Sequence, residues 1–323
     1  MKNNNSNIKS FRPKYLVISG GGIKVMCVTG ILPILERLKI LSEVSTFAGT
    51  SAGGFIALLC VLGFSSSEIS SILFNTNFNE FMKNINFLRL LENDSLANEK
   101  WIENYFEKII SLKGFSPIIT MKELYEKTKK SLIVYACKET NLDVVKIDHI
   151  SYPNLLVKDA IYMTCTVPVL ISPKQLNGIN MIDGGVVKNY PINDFPLDET
   201  LGIRFIIKKN LSITTSPSLQ TFRKGLFPNY SSPLDLLTLL VEKVINNAKR
   251  IYLIIFQIMD KLEILQLQNL ELYEIPCILE NINTLDFSID KETKKVLFVA
   301  GAKACENFLS SNCQKSLYKI IYE

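Results

Sequence analysis

The sequence predicts an α/β fold with a largely parallel central sheet. Short β-prone apolar runs alternate with stretches of helical periodicity, the order that yields parallel strands with helices packed on them. Two of the strand-to-helix junctions are glycine-rich, Gly20-Gly21-Gly22 and Gly49-Thr50-Ser51-Ala52-Gly53. Such junctions let a main chain turn sharply and leave its N–H groups uncovered.

With 323 residues, the chain suffices for one large domain or two modest ones, and 47% hydrophobic residues supply a core. Charged residues make up 21% and the formal net charge is +5. Lys/Arg and Asp/Glu alternate rather than forming basic blocks, so no nucleic-acid partner is expected. The small surplus suits solubility, and equally contact with an anionic membrane surface. Seven cysteines, Cys27, Cys60, Cys137, Cys165, Cys277, Cys305 and Cys313, lie mostly in apolar runs and read as free buried thiols of a reducing compartment. With no Cys-x-x-Cys pair and a single histidine, His149, neither a metal nor another cofactor is expected.

Residues 1–14, rich in Asn, Ser and Lys, read as a disordered polar tail without the apolar stretch of a secretory signal. Tyr15 to Ser19 is a strand, Gly20 to Gly22 a loop, and Ile31, Leu32, Ile34, Leu35 and Leu38 mark a helix. The loop matches neither a P-loop nor a dinucleotide fingerprint, which would need a third glycine at Val25. A third reading is an oxyanion hole, whose glycine N–H groups point at a substrate oxygen. Lys24 would hold the loop's geometry, take part of the oxyanion charge, or simply be solvated.

Val44 to Ala48 is the next strand and Gly54 to Gly63 a buried helix. Ser51 then sits on the turn of a nucleophile elbow, above a helix N-terminus, with Ala52 able to donate its N–H to an oxyanion. The bland alternative is an ordinary tight turn. A polar-spotted helical stretch runs to Lys130, clearest at Trp101 to Ile110. Ser131 to Lys138 reads as a strand, and Asp143 to Ile147 as its hairpin partner or an edge strand.

Ile179 to Ile182 is strand-like and leads into Asp183-Gly184-Gly185, which alone would be a turn. A serine nucleophile, however, needs a base. His149 lies mid-chain in a polar loop-like segment, unlike the late histidine of a Ser-Asp-His order, so a carboxylate, Asp183, is the expected base. A conventional triad using His149 is the competing arrangement.

Together, Gly20-Gly21-Gly22-Ile23-Lys24, Gly49-Thr50-Ser51-Ala52-Gly53 and Asp183-Gly184-Gly185 resemble the patatin-like phospholipases. The likeness extends to Asp159-Ala160, to Val167-Pro168-Val169-Leu170-Ile171-Ser172-Pro173 and to Asn189-Tyr190-Pro191, and covers residues 15–200. It implies an α/β/α sandwich and a metal-free Ser51–Asp183 dyad hydrolysing acyl esters of lipids. The implied oxyanion hole is the Gly20 to Gly22 loop with Ala52 and Lys24. The family commonly has glycine after the lysine, where this chain has Val25.

The organisation expected is therefore a tail (1–14), a catalytic core (15–205) and a C-terminal helical part (206–323) packed on it. In that last part Gly202 to Lys208 is the final strand, Ser212 to Pro233 a loop, Leu234 to Leu267 one or two helices and Lys291 to Leu309 a closing helix. Ile251 to Met259 is too short to span a bilayer and, with Lys249, Arg250 and Lys261 around it, would either pack on the core or lie in a membrane interface. The expected partner is a phospholipid or other acyl lipid at a membrane surface. Some secreted bacterial relatives of the family also need an activating protein. The expected location is cytoplasmic or peripheral to a membrane, a host cell's cytoplasm included. The alternative function is a catalytically silent patatin-like module that binds membrane or a partner.

Overall fold

The computed structural model describes residues 12–77, 80, 99–168, 170–207, 273–280, 282, 285 and 289–312. Strand β1 (Tyr15–Ile18) leads through the glycine loop into a 3-10 turn, Gly22–Cys27, and helix α1 (Val28–Arg37). Strand β2 (Thr46–Thr50) turns at Ser51 into α2 (Ala52–Val61). Helices α3 (Ser66–Asn75), α4 (Glu99–Ser111) and α5 (Met121–Thr128) precede β3 (Ser131–Lys138) and β4 (Val144–Ile147). Then come α6 (Val157–Thr164), β5 (Lys174–Leu176), β6 (Ile179–Asp183), β7 (Thr200–Ile207), β8 (Glu274–Leu279) and α7 (Lys291–Asn312).

The strands form one sheet in the order β5-β6-β3-β2-β1-β7-β8, with β4 also on β3. The pairs β1–β2, β1–β7, β2–β3 and β7–β8 are parallel; β4 and β6 run antiparallel to β3, and β5 antiparallel to β6. Side chains alternate between the faces as strand geometry requires. Leu16, Ile18, Phe47 and Val134 enter the main core, under the helices, while Val17, Ala48 and Tyr135 face the other way. Among the described residues that second face is covered by Tyr190, Ile192 and Phe195, in and on either side of the short 3-10 turn Pro191–Asp194, with Leu197 of the next turn, Leu197–Glu199, packed against them. Helix α2 is apolar all round, and nine of its ten residues are buried, so it lies inside the main core.

The mixed α/β architecture agrees with the sequence, down to the antiparallel β4. Two features differ. The glycine loop opens into a 3-10 turn before α1 begins, and β7 is not the last strand, because β8 extends the sheet from a part of the chain read as helical. Glu-Ile-Pro-Cys-Ile-Leu contains Pro276, which has no N–H for a ladder and argues against a strand unless that strand is at an edge, where β8 is among the described residues. At the other end of the chain Arg12 pairs with Glu43, and Lys14 bonds Glu199 through both its main-chain N–H and its ammonium. The order expected from Tyr15 thus begins a few residues earlier. The expected segments 212–233 and 234–267, with the Ile251 to Met259 run, lie outside the described residues, as does Cys313. Among the described residues six cysteines are free, and no helix is long and apolar enough to cross a membrane.

Helix α7 is fixed at two points. It crosses α1 where Gly301 abuts the Cys27 carbonyl and Gly30 abuts the Phe298 carbonyl. Near its start, buried Lys294 donates to the carbonyls of Leu73, Phe74 and Thr76 at 3.3, 2.8 and 3.2 Å, placing a cation on the C-terminal end of α3. Lys294→Met should keep the packing of the stem but strand those carbonyls, costing about 2 kcal/mol in denaturant unfolding. An unchanged midpoint would show that α3 ends equally well without the cation.

Candidate active site

Among the described residues Ser51 is one of the few non-glycine residues with positive φ, and it has φ 54 and ψ −130. A non-glycine residue held there stores strain of about 1–3 kcal/mol, and such positions concentrate where chemistry is done. The flanking glycines make the turn possible. A Cβ on Gly53 would collide with the carbonyls of Ile18 and Ser19, and one on Gly49 would lie 2.5 Å from the Gly53 main chain. The end of β1 therefore presses against the first turn of α2. Serine is a favoured N-cap, yet Ser51 makes no cap bond with its side chain, so α2 opens uncapped and the hydroxyl is not spent on the helix.

What brings Asp183 to this serine is the edge they share on β3. A strand has two edges, and β4 occupies one of them along Val134 to Cys137. Strand β2 pairs with Ser131 to Tyr135 and β6 with Ala136 to Lys138, so these two strands must share the opposite edge, meeting end to end. The main chain agrees: Lys138 N–H points to Asp143 beyond β4, and the next N–H, of Glu139, points to Asn180 of β6. Thr50 is paired with Tyr135 and Asp183 with Ala136, the very next residue. Ser51, one residue past Thr50, and Asp183 thus converge at a junction whose anchor points lie about 3.3 Å apart along β3. Ser51 is 8% exposed and Asp183 fully buried.

Asp183 is set by a turn of its own. Its Oδ1 accepts the Gly185 N–H at 2.7 Å, and Gly184 packs against the Tyr135 carbonyl too tightly for any side chain. Two thiols flank it. Burial first, and the Asp183 charge second, push Cys137 up to about 12 and Cys165 far above the usual thiol range. Both are kept as neutral thiols and are poor nucleophiles.

The glycine loop reaches the same junction. Gly20 donates its N–H to the Asn189 carbonyl at 2.9 Å, and Thr50 Oγ1 donates to the Lys188 carbonyl at 2.9 Å. The segment just after Asp183 thereby holds both the loop and the end of β2. The Gly20 amide, one of the expected oxyanion donors, is therefore committed to Asn189. Lys24 is buried, and its ammonium donates to the Phe205 carbonyl of β7 at 3.4 Å. That contact ties the chain just after the glycine loop to β7. Ser19 Oγ accepts the Phe205 N–H at 3.1 Å and Gly21 lies against the Phe205 ring, so one residue of β7 supports the loop on three sides.

His149 is elsewhere. Its Nδ1 is 3.3 Å from Ser131 Oγ and its ring stacks on Tyr125, with centroids 3.8 Å apart. Ser131 opens β3 beside Thr46, whereas Ser51 follows the far end of β2. The separation is four to five strand residues, roughly 15 Å. If the expected Ser51 chemistry operates, His149→Ala should therefore leave its rate within about twofold of wild type, as a substitution away from that junction. A loss of a hundredfold would restore the triad.

A model described as patatin-like phospholipase matches residues 16–196, more than half of the chain. The chain belongs to that family. It is 33% identical over 213 residues to a probable lipid hydrolase of Invertebrate iridescent virus 6, covering 62% of this chain and 68% of the viral protein. It is also 26% identical over 300 residues to an uncharacterized protein of Acanthamoeba polyphaga mimivirus, covering 90% and 92% of the two chains. Among solved structures, VipD from Legionella pneumophila aligns with a TM-score of 0.59 at 14% identity, over 93% of this chain and 67% of that one. At that identity the likeness is one of fold. The family match spans the elbow, the glycine loop and Asp183 together, and with the viral relative it supports lipid hydrolase activity.

One residue beside Ser51 belongs to no motif of the sequence. Thr164, at the end of α6, accepts the Ser51 N–H on its Oγ1 at 2.9 Å. A threonine closing a short helix carries no local signal of such a contact, which is fixed by the packing of α6 on β3.

Proposed function

We propose that the protein is a lipid acyl hydrolase of the phospholipase A or lysophospholipase type, with Ser51 as nucleophile and Asp183 as base. The observation that supports this most is the end-to-end meeting of β2 and β6 on β3, by which the strand leading into the strained serine and the strand ending in the buried aspartate pair with consecutive residues of β3. In this reading Ser51 Oγ attacks the ester carbonyl carbon while Asp183 takes its proton. The N–H groups of Gly21, Gly22 and Ala52 receive the oxyanion, aided by the open amino end of α2. Asp183 returns the proton to the departing alcohol oxygen as the acyl–Ser51 ester forms. Water then attacks that ester, giving its proton to Asp183, and the fatty acid leaves as Ser51 recovers its hydrogen. No step needs a metal ion or an imidazole.

The substrate would be met at a membrane surface, with the protein cytoplasmic or peripherally bound. The test is fatty-acid release from mixed phospholipid vesicles by wild type, Ser51→Ala and Asp183→Asn. Release by wild type and none by the two variants is expected. Vesicle binding without release, persisting on addition of host-cell extract as a source of activating protein, would instead favour the silent binding module.

A further inference from the structure

The strained serine and the buried aspartate are held by the same short piece of chain. Thr164 Oγ1 accepts the Ser51 N–H at 2.9 Å, and two residues on the Thr166 carbonyl accepts the Asp183 N–H at 2.8 Å. Both threonines are fully buried. Thr166 is itself tied back, its hydroxyl donating to the Tyr162 carbonyl one turn earlier at 2.9 Å. The end of α6 is thus a rigid clamp with one contact on each member of the proposed dyad.

The hydroxyl of Thr164 has a defined orientation. A threonine hydroxyl has one hydrogen and two lone pairs. The hydrogen is given to the Tyr135 carbonyl at 2.5 Å, which leaves a lone pair for the Ser51 N–H. Tyr135 is the β3 residue opposite Thr50, and its carbonyl also abuts Gly184. One hydroxyl therefore joins the end of β2, the middle of β3 and the turn after Asp183. It also supplies the acceptor that an amide at φ 54, where the β2 ladder has ended, would otherwise lack.

We infer that Thr164 is a positioning residue for the nucleophile, fixing the strained Ser51 backbone so that its hydroxyl stays aligned with Asp183. This inference rests on the proposed Ser51–Asp183 dyad. It acts through Ser51 and touches no substrate, so its loss should appear in kcat and leave KM nearly unchanged. Misplacement of a reacting group by about 1 Å costs on the order of a hundredfold in rate.

The experiment compares Thr164→Val, Thr164→Ala and Thr164→Ser with wild type and Ser51→Ala, using a soluble short-chain p-nitrophenyl ester. Each rate is normalised to folded protein by near-UV circular dichroism. Valine keeps the shape and removes the hydroxyl; alanine removes it without adding bulk; serine keeps it. The expected result is a kcat lower by about 10- to 100-fold for valine and alanine, with KM within about twofold, and serine restoring most of the rate. Wild-type kcat in the folded valine or alanine variant, with Ser51→Ala dead, would overturn the positioning role while leaving the dyad standing. Failure of both to fold would also overturn it, since Thr164 would then be needed for the fold rather than for alignment. Activity surviving in Ser51→Ala would overturn the dyad itself.

Discussion

Asp183→Asn is expected to lower kcat for ester hydrolysis by roughly 10²- to 10⁴-fold, the range for removing a positioned general base. Asparagine has the same shape, and its amide oxygen can still accept the Gly185 N–H that Asp183 Oδ1 accepts at 2.7 Å. The turn into Gly184 should therefore survive, and the loss can be assigned to proton transfer. A carboxylate is a weak base for an alcohol in water, but this one is fully buried, between two thiols that stay neutral. Removal from water strengthens its hydrogen bonding to a serine hydroxyl. Ser51→Ala, which removes the proposed nucleophile outright, should fall at least as far, and the double variant should be no worse than the worse single one, as for residues acting as a unit. Additive losses would show that the two do not share a step.

The second large effect expected is on stability. Gly301→Leu should destabilise the protein by about 3 kcal/mol, at the upper end of the usual cost of overpacking. The atoms that a new Cβ would strike are main-chain atoms of Cys27, which have no rotamer into which to retreat. Gly30 meets α7 in the same way, so two facing glycines let α1 and α7 approach until their backbones touch. Because Cys27 ends the 3-10 turn that follows the glycine loop, forcing α7 outward should also disturb the loop. A lower urea midpoint together with a lower kcat is expected. An unchanged midpoint would mean that the crossing is looser than the structure has it.

The parts of this fold legible in the sequence are those written in local pattern. Tyr15 to Ser19, the glycine triplet and the apolar helix after Ser51 announce themselves by periodicity and by residues suited to only one backbone path. Strand β8 does not, because its partner β7 is nearly seventy residues away and Pro276 disguises it. The candidate site divides the same way. Ser51 and Asp183 stand in short motifs that can be read directly. Their convergence depends on which edge of β3 each strand takes, and no local pattern encodes that choice. Thr164 is the extreme case, since its importance lies wholly in what α6 is packed against. His149 shows the converse: a residue type associated with catalysis that the fold places at the opposite end of the sheet, against Tyr125.

In the proposed mechanism Ser51 is the activated nucleophile and Asp183 its activator. The most direct measurement is the site and rate of covalent labelling by a fluorophosphonate, followed by peptide mass mapping. A single adduct on Ser51 is expected in wild type, none in Ser51→Ala, slow labelling in Asp183→Asn and wild-type labelling in His149→Ala. An adduct on another residue, or labelling of Ser51 at the wild-type rate without Asp183, would contradict it.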